Sequence, residues 1–363
     1  MDGSVSASSQ NGENADPART ARFSRSVSEL APAVKPTLLV VELWGLGDLV
    51  IATPFLRAAS EKYNVRLLAK PYANDLQARF WPAVTVVPFI APWTAFRRKY
   101  QLWSWPWRDI FRLRRLARPR FDIGLTARWG DPRDHLLLQL LRVRRRLGFP
   151  RLGSQIFLTE PLIRPDPGAH RYEYWRTLGR ALQLDLPVRE KLPAAPRSSA
   201  CEVLVHTGAG QPVRVWPLER YSHLVARLRH EGRPVQVACD PDQRGWWLEA
   251  GEKDVATPRT VGELMVLIGR AGAFVGHDSG PSHLAALCGV PTFTVFGPQL
   301  PEWFAPLHPG GEVLEGKPCP YKPCSDYCRF PTPLCIVNSG EEEVGSRVET
   351  FLRRVLKPET AAR

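Results

Sequence analysis

Residues Val41–Ala59 read VELWGLGDLVIATPFLRAA, and TLLV stands just before them. TLLVVEL, from Thr37, is a short continuous apolar run, as expected of a strand covered on both faces. Gly45 and Gly47 interrupt it and read as a sharp turn. From Pro54 to Tyr63 the apolar residues fall at helical spacing. Asp48 follows the second glycine directly. It lies beyond the carboxyl end of the strand, where open α/β sheets bind their ligands.

The same alternation continues outward. VRLLAK, VTVVPF and FDIGLTA read as further strands, and DHLLLQLLRVRRR reads as a helix ending at Gly148. Strands alternating with helices predict a parallel, doubly wound sheet. A helix over Tyr172–Leu182 precedes LPVREKLPAAPRSSA, residues 186–200, whose Pro, Ala and Ser mark a domain boundary. A second series follows, with EVLVHTG, PVQVACD, AFVGHD and TFTVFG as strands. The expected layout is a tail over 1–35, a first domain over 36–190, a second over 191–340, a helix over 341–357 and a tail over 358–363. Ser339 and Glu342 offer that last helix a capping box, and Val344, Val348, Leu352 and Val355 share one face. The first tail holds hardly a large apolar residue before Phe23, too little to order itself.

The chain of 363 residues carries a formal net charge of +13, which implies an anionic partner: nucleic acid, anionic lipid or a nucleotide substrate. No run approaches the roughly eighteen apolar residues of a membrane span. The first residues carry an acid and no apolar segment, which speaks against a secretory signal. Seven cysteines without such a signal favour a reducing compartment, so the expected location is the cytoplasm, with peripheral contact to the inner membrane.

A second turn carries chemistry. AFVGHDSGPSHLAALCGVPTFTVFG, Ala273–Gly297, reads strand, polar turn, helix, stop, strand. Asp278 and Ser279 suit an N-cap, Gly280 permits close approach of a ligand, and Pro281 suits the first helical turn. Gly289 and Pro291 end the helix. Its N-terminus would aim unpaired N–H groups and partial positive charge out of the strand ends, which suits a phosphate.

These blocks resemble glycosyltransferase family 9, the heptosyltransferases of lipopolysaccharide assembly and their relatives. The resemblance rests on DSGPSHLAALCGVPTFTVFGP, on GLGDLVIATPFLRAA, and on HTGAG with RVWPLERYSHL between His206 and Leu224. The family commonly has lysine where Arg214 stands, and Gly-Gly-Pro where this chain has ACDPD. The resemblance implies the GT-B fold, two facing Rossmann-like domains with parallel sheets and a cleft between them. Acceptor would bind mainly to the first domain and nucleotide-sugar to the second. It also implies that Asp48 is the general base in an inverting transfer of a sugar, heptose by family, from a nucleotide-sugar such as ADP-heptose. The implied acceptor is a lipid-linked or cell-envelope saccharide. Asp278 would contact donor hydroxyls. Donor binding is assigned to Thr207, Gly208, Gly210, Arg214, Asp278, Ser279, Gly280 and Pro281. His283, one turn into the helix, is included there as a packing residue rather than a catalyst. No catalytic cofactor is implied.

Alternatives stay open at several positions. Asp48 also suits a helix cap, Arg214 a solvated surface, and Asp278 pure capping. A nicotinamide-dependent oxidoreductase needs a third glycine where Val50 stands, and an acid about 20 residues on for the ribose. A non-catalytic saccharide-binding module would tolerate loss of Asp48. Asp240 and Asp242 form an Asp-x-Asp pair interrupted by Pro241, which favours a turn over a metal site.

Two segments stand apart. Residues 92–120 mix tryptophan with arginine, which suits a membrane interface or anionic glycolipid, or a packed helical hairpin with a basic face. Stacking on nucleic acid is disfavoured, since no nucleic-acid motif accompanies it. Cys319, Cys324, Cys328 and Cys335 lie in a loop over 319–335 with gaps of four, three and six residues. They are candidates for a structural zinc ion or iron–sulfur cluster, for reduced thiols or for disulfides. Cys201, Cys239 and Cys288 read as core.

Overall fold

The structure, a computed structural model, describes residues 35–94, 107–116, 120–128, 131–193, 200–324 and 327–356. The expectations for the tail over 1–34, for part of the Trp/Arg segment, for 194–199 at the domain boundary and for 358–363 fall outside them.

The first series runs β1 (Thr37–Glu42), α1 (Leu46–Ile51), α2 (Thr53–Lys62), β2 (Asn64–Ala69), α3 (Ala73–Phe80), β3 (Thr85–Pro88), α4 (Trp107–Leu116), β4 (Ile123–Leu125), α5 (Pro132–Leu140), β5 (Arg145–Gly148) and β6 (Glu160–Pro161). Then α6 (Arg171–Ala181) leads to β7 (Val203–His206), α7 (Leu218–His230), β8 (Val235–Ala238), α8 (Arg244–Glu249), β9 (Val255–Ala256), α9 (Val261–Arg270), β10 (Ala273–His277), α10 (Gly280–Leu287), β11 (Thr292–Phe296), α11 (Pro301–Phe304), β12 (Glu312–Glu315), α12 (Leu334–Val337) and α13 (Glu341–Val355).

The strands form two parallel six-stranded sheets, ordered β3-β2-β1-β4-β5-β6 and β12-β11-β10-β7-β8-β9. Counted from its own first strand, each sheet has the order 3-2-1-4-5-6. Each therefore reverses direction of winding between its first and fourth strands, β1/β4 and β7/β10, and a crevice opens there.

Alternation along the strands builds three apolar clusters. Leu38 and Val40 of β1 face Phe55, Leu56 and Trp175, whereas Leu39 and Val41 face Leu113, Leu137 and Leu138. The first of these clusters runs on into the second sheet through Leu204, Phe274 and Leu284. On the far face of the second sheet, Val203, Val205 and Val275 pack with Leu224, Leu228 and the Val344, Val348, Phe351, Leu352 face of α13. Burying one such side chain fully contributes about 1.5–3 kcal/mol. Among the described residues no helix is long and apolar enough to cross a membrane.

Three local readings are corrected. The basic run after Leu141 is not helix: Arg142 turns with φ of 57°, and Arg145–Gly148 pairs with β4 as a strand. A ladder partner outweighs the helical propensity of arginine here. Helix α13 has Gly340, which has no side chain, at its N-cap position, while Ser339 stands one residue earlier and its Oγ donates to the Cys335 carbonyl at 3.5 Å. Cys201 is exposed rather than core, while Cys239 and Cys288 are buried.

Candidate functional site

From Glu42 the chain leaves β1 through Leu43 and Trp44 and enters α1 at Gly45. Gly45 has φ −87° and ψ 166°, and neither it nor Gly47 is among the glycines with positive φ. The glycines therefore do not supply a left-handed turn. Their use is space. A Cβ on Gly47 would sit 2.7 Å from His283 Cδ2, and one on Gly280 would sit 2.8 Å from Leu46 Cβ. The first turns of α1 and α10 thus pack face to face, one from each sheet. Gly280 accommodates Leu46, where close approach of a ligand was expected.

Asp48 occupies the third position of α1. Its Oδ2 accepts the Gly45 N–H at 3.1 Å, which is a cap, and its Oδ1 lies 3.7 Å from Arg128 Nη1. The side chains of both are about one quarter exposed, at 25% and 23%. Glu42 stands close by, 5% exposed, accepting the Trp44 N–H at 3.2 Å. Burial first, then the Asp48 charge, pushes its carboxyl well above the usual range, and Arg128 pulls it back. A small cavity of about 20 Å³, room for one water-sized group, is lined by Asp48, Glu42, Arg128, Arg171 and Trp175. Arg171 also lines a larger cavity of about 460 Å³ with Arg164, Tyr174 and Trp303. That volume lies within the range of ligand pockets, roughly 300–1,000 Å³. The Arg171 guanidinium lies over Trp303 at 4.7 Å, Phe304 at 5.1 Å and Tyr174 at 5.2 Å, and burial lowers its pKa to about 10.

On the second sheet, β10 ends at His277 and Asp278 follows, 3% exposed. Asp278 does not cap α10. Its Oδ2 accepts Arg214 Nη1 at 3.2 Å. Burial raises its pKa, Arg214 lowers it, Asp48 raises it and Lys322 lowers it, so the four groups share one neighbourhood. Ser279 holds the N-cap position in extended geometry without a side-chain bond, and Pro281 stands in the first turn as read. His283 is 4% exposed; burial keeps it neutral down to about 4, and among the described residues its Nδ1 has no hydrogen-bond partner.

The two ion pairs mirror one another with signs exchanged. After β1 comes the acid Asp48 and after β4 the arginine Arg128; after β7 comes the arginine Arg214 and after β10 the acid Asp278. Each crevice thus holds one acid–arginine ion pair.

The loop after β7 is used differently from the sequence reading. Thr207 is fully buried: its hydroxyl donates to Gln243 Oε1 at 2.9 Å and accepts from Trp247 Nε1 at 3.2 Å. The Thr207 N–H binds the Ala238 carbonyl, and the Gly208 N–H binds His206 Nδ1 at 3.2 Å. The Ala209 N–H serves Asp240. A Cβ on Gly208 would clash with that carboxyl at 2.3 Å, whereas Gly210 has open space. Three of the four N–H groups offered to an anion are therefore engaged within the protein.

Among the described residues no group of three or more His, Cys, Asp or Glu is placed to hold a metal ion. That covers Asp240 and Asp242 as well as Cys319, Cys324, Cys328 and Cys335. Cys324 and Cys335 have raised pKa values, from burial first and from neighbouring cysteines second for Cys324.

Sequence reasoning missed Glu42, Trp44, Arg128, Arg171 and Lys322. Two signals were available. Glu42 is an acid in an otherwise apolar strand, and Arg128 lies just past the carboxyl end of β4, the strand beside β1 at the crevice.

Residues 173–330 match the family model of glycosyltransferase family 9 (heptosyltransferase). Lipopolysaccharide heptosyltransferase 1 of Pseudomonas aeruginosa is 30% identical over 223 residues, 53% of this chain and 61% of that protein. The match thus spans about three fifths of that relative's length. The crystal structure of a glycosyltransferase family 9 protein from Veillonella parvula superposes with a TM-score of 0.69 at 18% identity, covering 89% of this chain and 99% of that one. Escherichia coli heptosyltransferase WaaC, solved with ADP, gives a TM-score of 0.66 at 17% identity over 87% and 99%. The two facing parallel sheets are those of these GT-B structures. Residues 173–330 thus carry the glycosyltransferase family 9 pattern, and the chain is similar to heptosyltransferases in sequence and has their fold.

Proposed function

We propose that the chain is an inverting glycosyltransferase. It moves a sugar, heptose by likeness, from an ADP-linked donor to a lipid-linked or cell-envelope saccharide. The observation that carries this reading is the meeting of two helix N-termini. One brings Asp48, with a cavity beside it, and the other brings the Arg214–Asp278 pair. The ADP of the WaaC structure supports the choice of nucleotide.

In this reading the acceptor hydroxyl sits beside Asp48, which takes its proton as the oxygen attacks the anomeric carbon. The bond from that carbon to the diphosphate breaks on the opposite face, its electron pair leaves on the phosphate oxygen, and the configuration inverts. Arg214, Lys322 and the N-terminus of α10 stabilise the departing charge. These fixed positive groups do the work that a divalent ion does elsewhere, so the reaction is metal-independent. Asp278 serves the donor sugar, and His283 packs. The first domain, 36–190, holds the acceptor, and the second, 191–340, the donor.

The protein is proposed to act in the cytoplasm at the inner membrane. On α4, Arg108, Phe111, Arg112 and Arg115 are exposed, with Phe111 at 59%, while Ile110 and Leu113 are buried. An aromatic ring among arginines suits an anionic lipid surface. A structural metal at the four-cysteine loop is a separate proposal. The sulfurs do not fit an ion as placed, and residues 325 and 326 between them lie outside the described ones.

The test is a thermal-shift panel of nucleotide diphosphates and nucleotide-sugars, followed by turnover with Asp48→Asn. ADP-linked compounds should raise the midpoint, and Asp48→Asn should keep that shift while losing turnover by 10²-fold or more, at the lower end of general-base effects. A response to NAD alone, or full turnover without Asp48, overturns the reading.

A further inference from the structure

Trp44 is pinned on every side. Its N–H donates to Glu42 Oε1 at 3.2 Å, its carbonyl accepts the Tyr72 hydroxyl at 3.1 Å, and its indole N–H donates to Asp134 Oδ2 at 3.2 Å. The ring face is occupied by Arg128, whose Cζ lies 3.6 Å from the centroid. Asp134 is fully buried on α5 and accepts a second indole, Trp93 Nε1, on Oδ1 at 3.0 Å. Two indoles on one carboxyl leave neither ring free to rotate.

We infer that Trp44 and Asp134 are positioning residues for the Asp48 carboxylate: Asp134 fixes the indole, the indole plate holds the Arg128 guanidinium, and the guanidinium faces Asp48. The links are 3.2 Å from the Trp44 indole N–H to Asp134, 3.6 Å from the Arg128 Cζ to the ring centroid and 3.7 Å from Arg128 Nη1 to Asp48 Oδ1. A guanidinium on a long side chain wanders unless something flat holds it, and stacking on an aromatic face is how arginine is held. The Gly45 N–H fixes one oxygen of Asp48 and Arg128 faces the other, so the carboxylate is presented in one orientation. A base held in one orientation removes a proton more often than one that must find it.

The inference rests on the proposed transferase reading, and two experiments separate them. In turnover, Trp44→Ser should lower kcat about tenfold or more with the donor KM unchanged. Trp44→Phe, which keeps a face for Arg128, should restore most of it, and Asp134→Asn should fall between. Wild-type kcat in Trp44→Ser, or equal loss in Trp44→Phe and Trp44→Ser, overturns the positioning role.

The second experiment needs no reaction: indole ¹H–¹⁵N spectra of the ligand-free protein against pH. Burial first and Asp131 second push the Asp134 carboxyl up to about 6, opposed by its two indole donors and by Arg128. Glu42 also feels Asp134. The Trp44 and Trp93 resonances, assigned from Phe variants, should therefore move together with a midpoint near 6 and stay fixed in Asp134→Asn, and Arg128→Met should shift the Trp44 resonance alone. Independent midpoints, or no response of Trp44 to Arg128→Met, would refute the chain of contacts even if no sugar is ever transferred.

Discussion

Gly47→Ala places a methyl group where the His283 ring already lies. The new carbon would stand 2.7 Å from Cδ2, 3.1 Å from Nε2 and 3.3 Å from Cγ. Carbon atoms rest at about 3.5–4.0 Å, so the overlap is close to an ångström along a ring edge. The ring has nowhere to go, since His283 is 4% exposed and sits on a helix packed into the core. Relief requires α1 and α10 to part, and overpacking of this kind costs about 1–3 kcal/mol. In a chain this long the melting midpoint should fall by roughly 2–4 °C per kcal/mol.

Urea denaturation of wild type, Gly47→Ala, His283→Ala and the double variant gives the measurement. With the ring removed the methyl fits, so the penalty for Gly47→Ala should vanish in the His283→Ala background, a coupling of about 1 kcal/mol or more. Gly269→Ala is the control: it lies within α9 with no atom inside 4 Å of the new carbon, and should stabilise by about 0.4–1 kcal/mol. Equal penalties for Gly47→Ala in both backgrounds would refute the helix contact as its cause.

Arg214→Met strands a buried carboxylate and should cost about 3 kcal/mol, most of it recovered by adding Asp278→Asn; a double variant as unstable as the single one contradicts the pairing. His206 stays neutral down to about 4 because it is buried, so the unfolded chain takes up its proton first as pH falls through about 6.5. Stability from this group is thus present above that pH and lost toward 4, and the deficit of His206→Leu in urea melts should shrink over that window; a constant deficit counts against it. Wild-type protein should sediment with anionic vesicles and the Arg108, Arg112, Arg115 charge-neutral variant should not, equal sedimentation removing the membrane proposal. Metal analysis of anaerobically purified protein decides the cysteine proposal: zinc or iron that Cys324→Ser and Cys328→Ser abolish supports it, and a metal-free, fully folded sample excludes it.

The sheets were legible because buried parallel strands have little choice. TLLVVEL and TFTVFG must be covered on both faces, and they are. The arginine run at 142–146 misled because its apolar neighbours lie at helical spacing, and only the β4 edge beside it makes Arg145–Gly148 a strand. Asp48 and Asp278 stood out because each lies just past the end of a strand, at the N-terminal end of the helix that follows. Arg128 was missed, and Arg214 was assigned to the donor with no sign of its pairing with Asp278, because each arginine is more than sixty positions from its acid and meets it only through the winding of the sheets. Gly47 and Gly280 were noticed for the wrong reason. A glycine in sequence signals freedom of the backbone, but whether a neighbour fills the missing side chain's place is a tertiary fact. The loop at 207–210 was read as an open set of donors, and only the placement of Asp240 and Ala238 shows them engaged.

The exchange of signs between the two crevices pairs an arginine with an acid in each, inside a strongly basic molecule. In the proposed function, a diphosphate arriving at Arg214 must compete with Asp278 for the same guanidinium. Success unfastens that carboxylate, which then has lone pairs to offer to hydroxyl groups beside the anion. Under the proposed function, recognition at this crevice is a trade of partners, which favours molecules bearing a phosphate and vicinal alcohols together over either group alone.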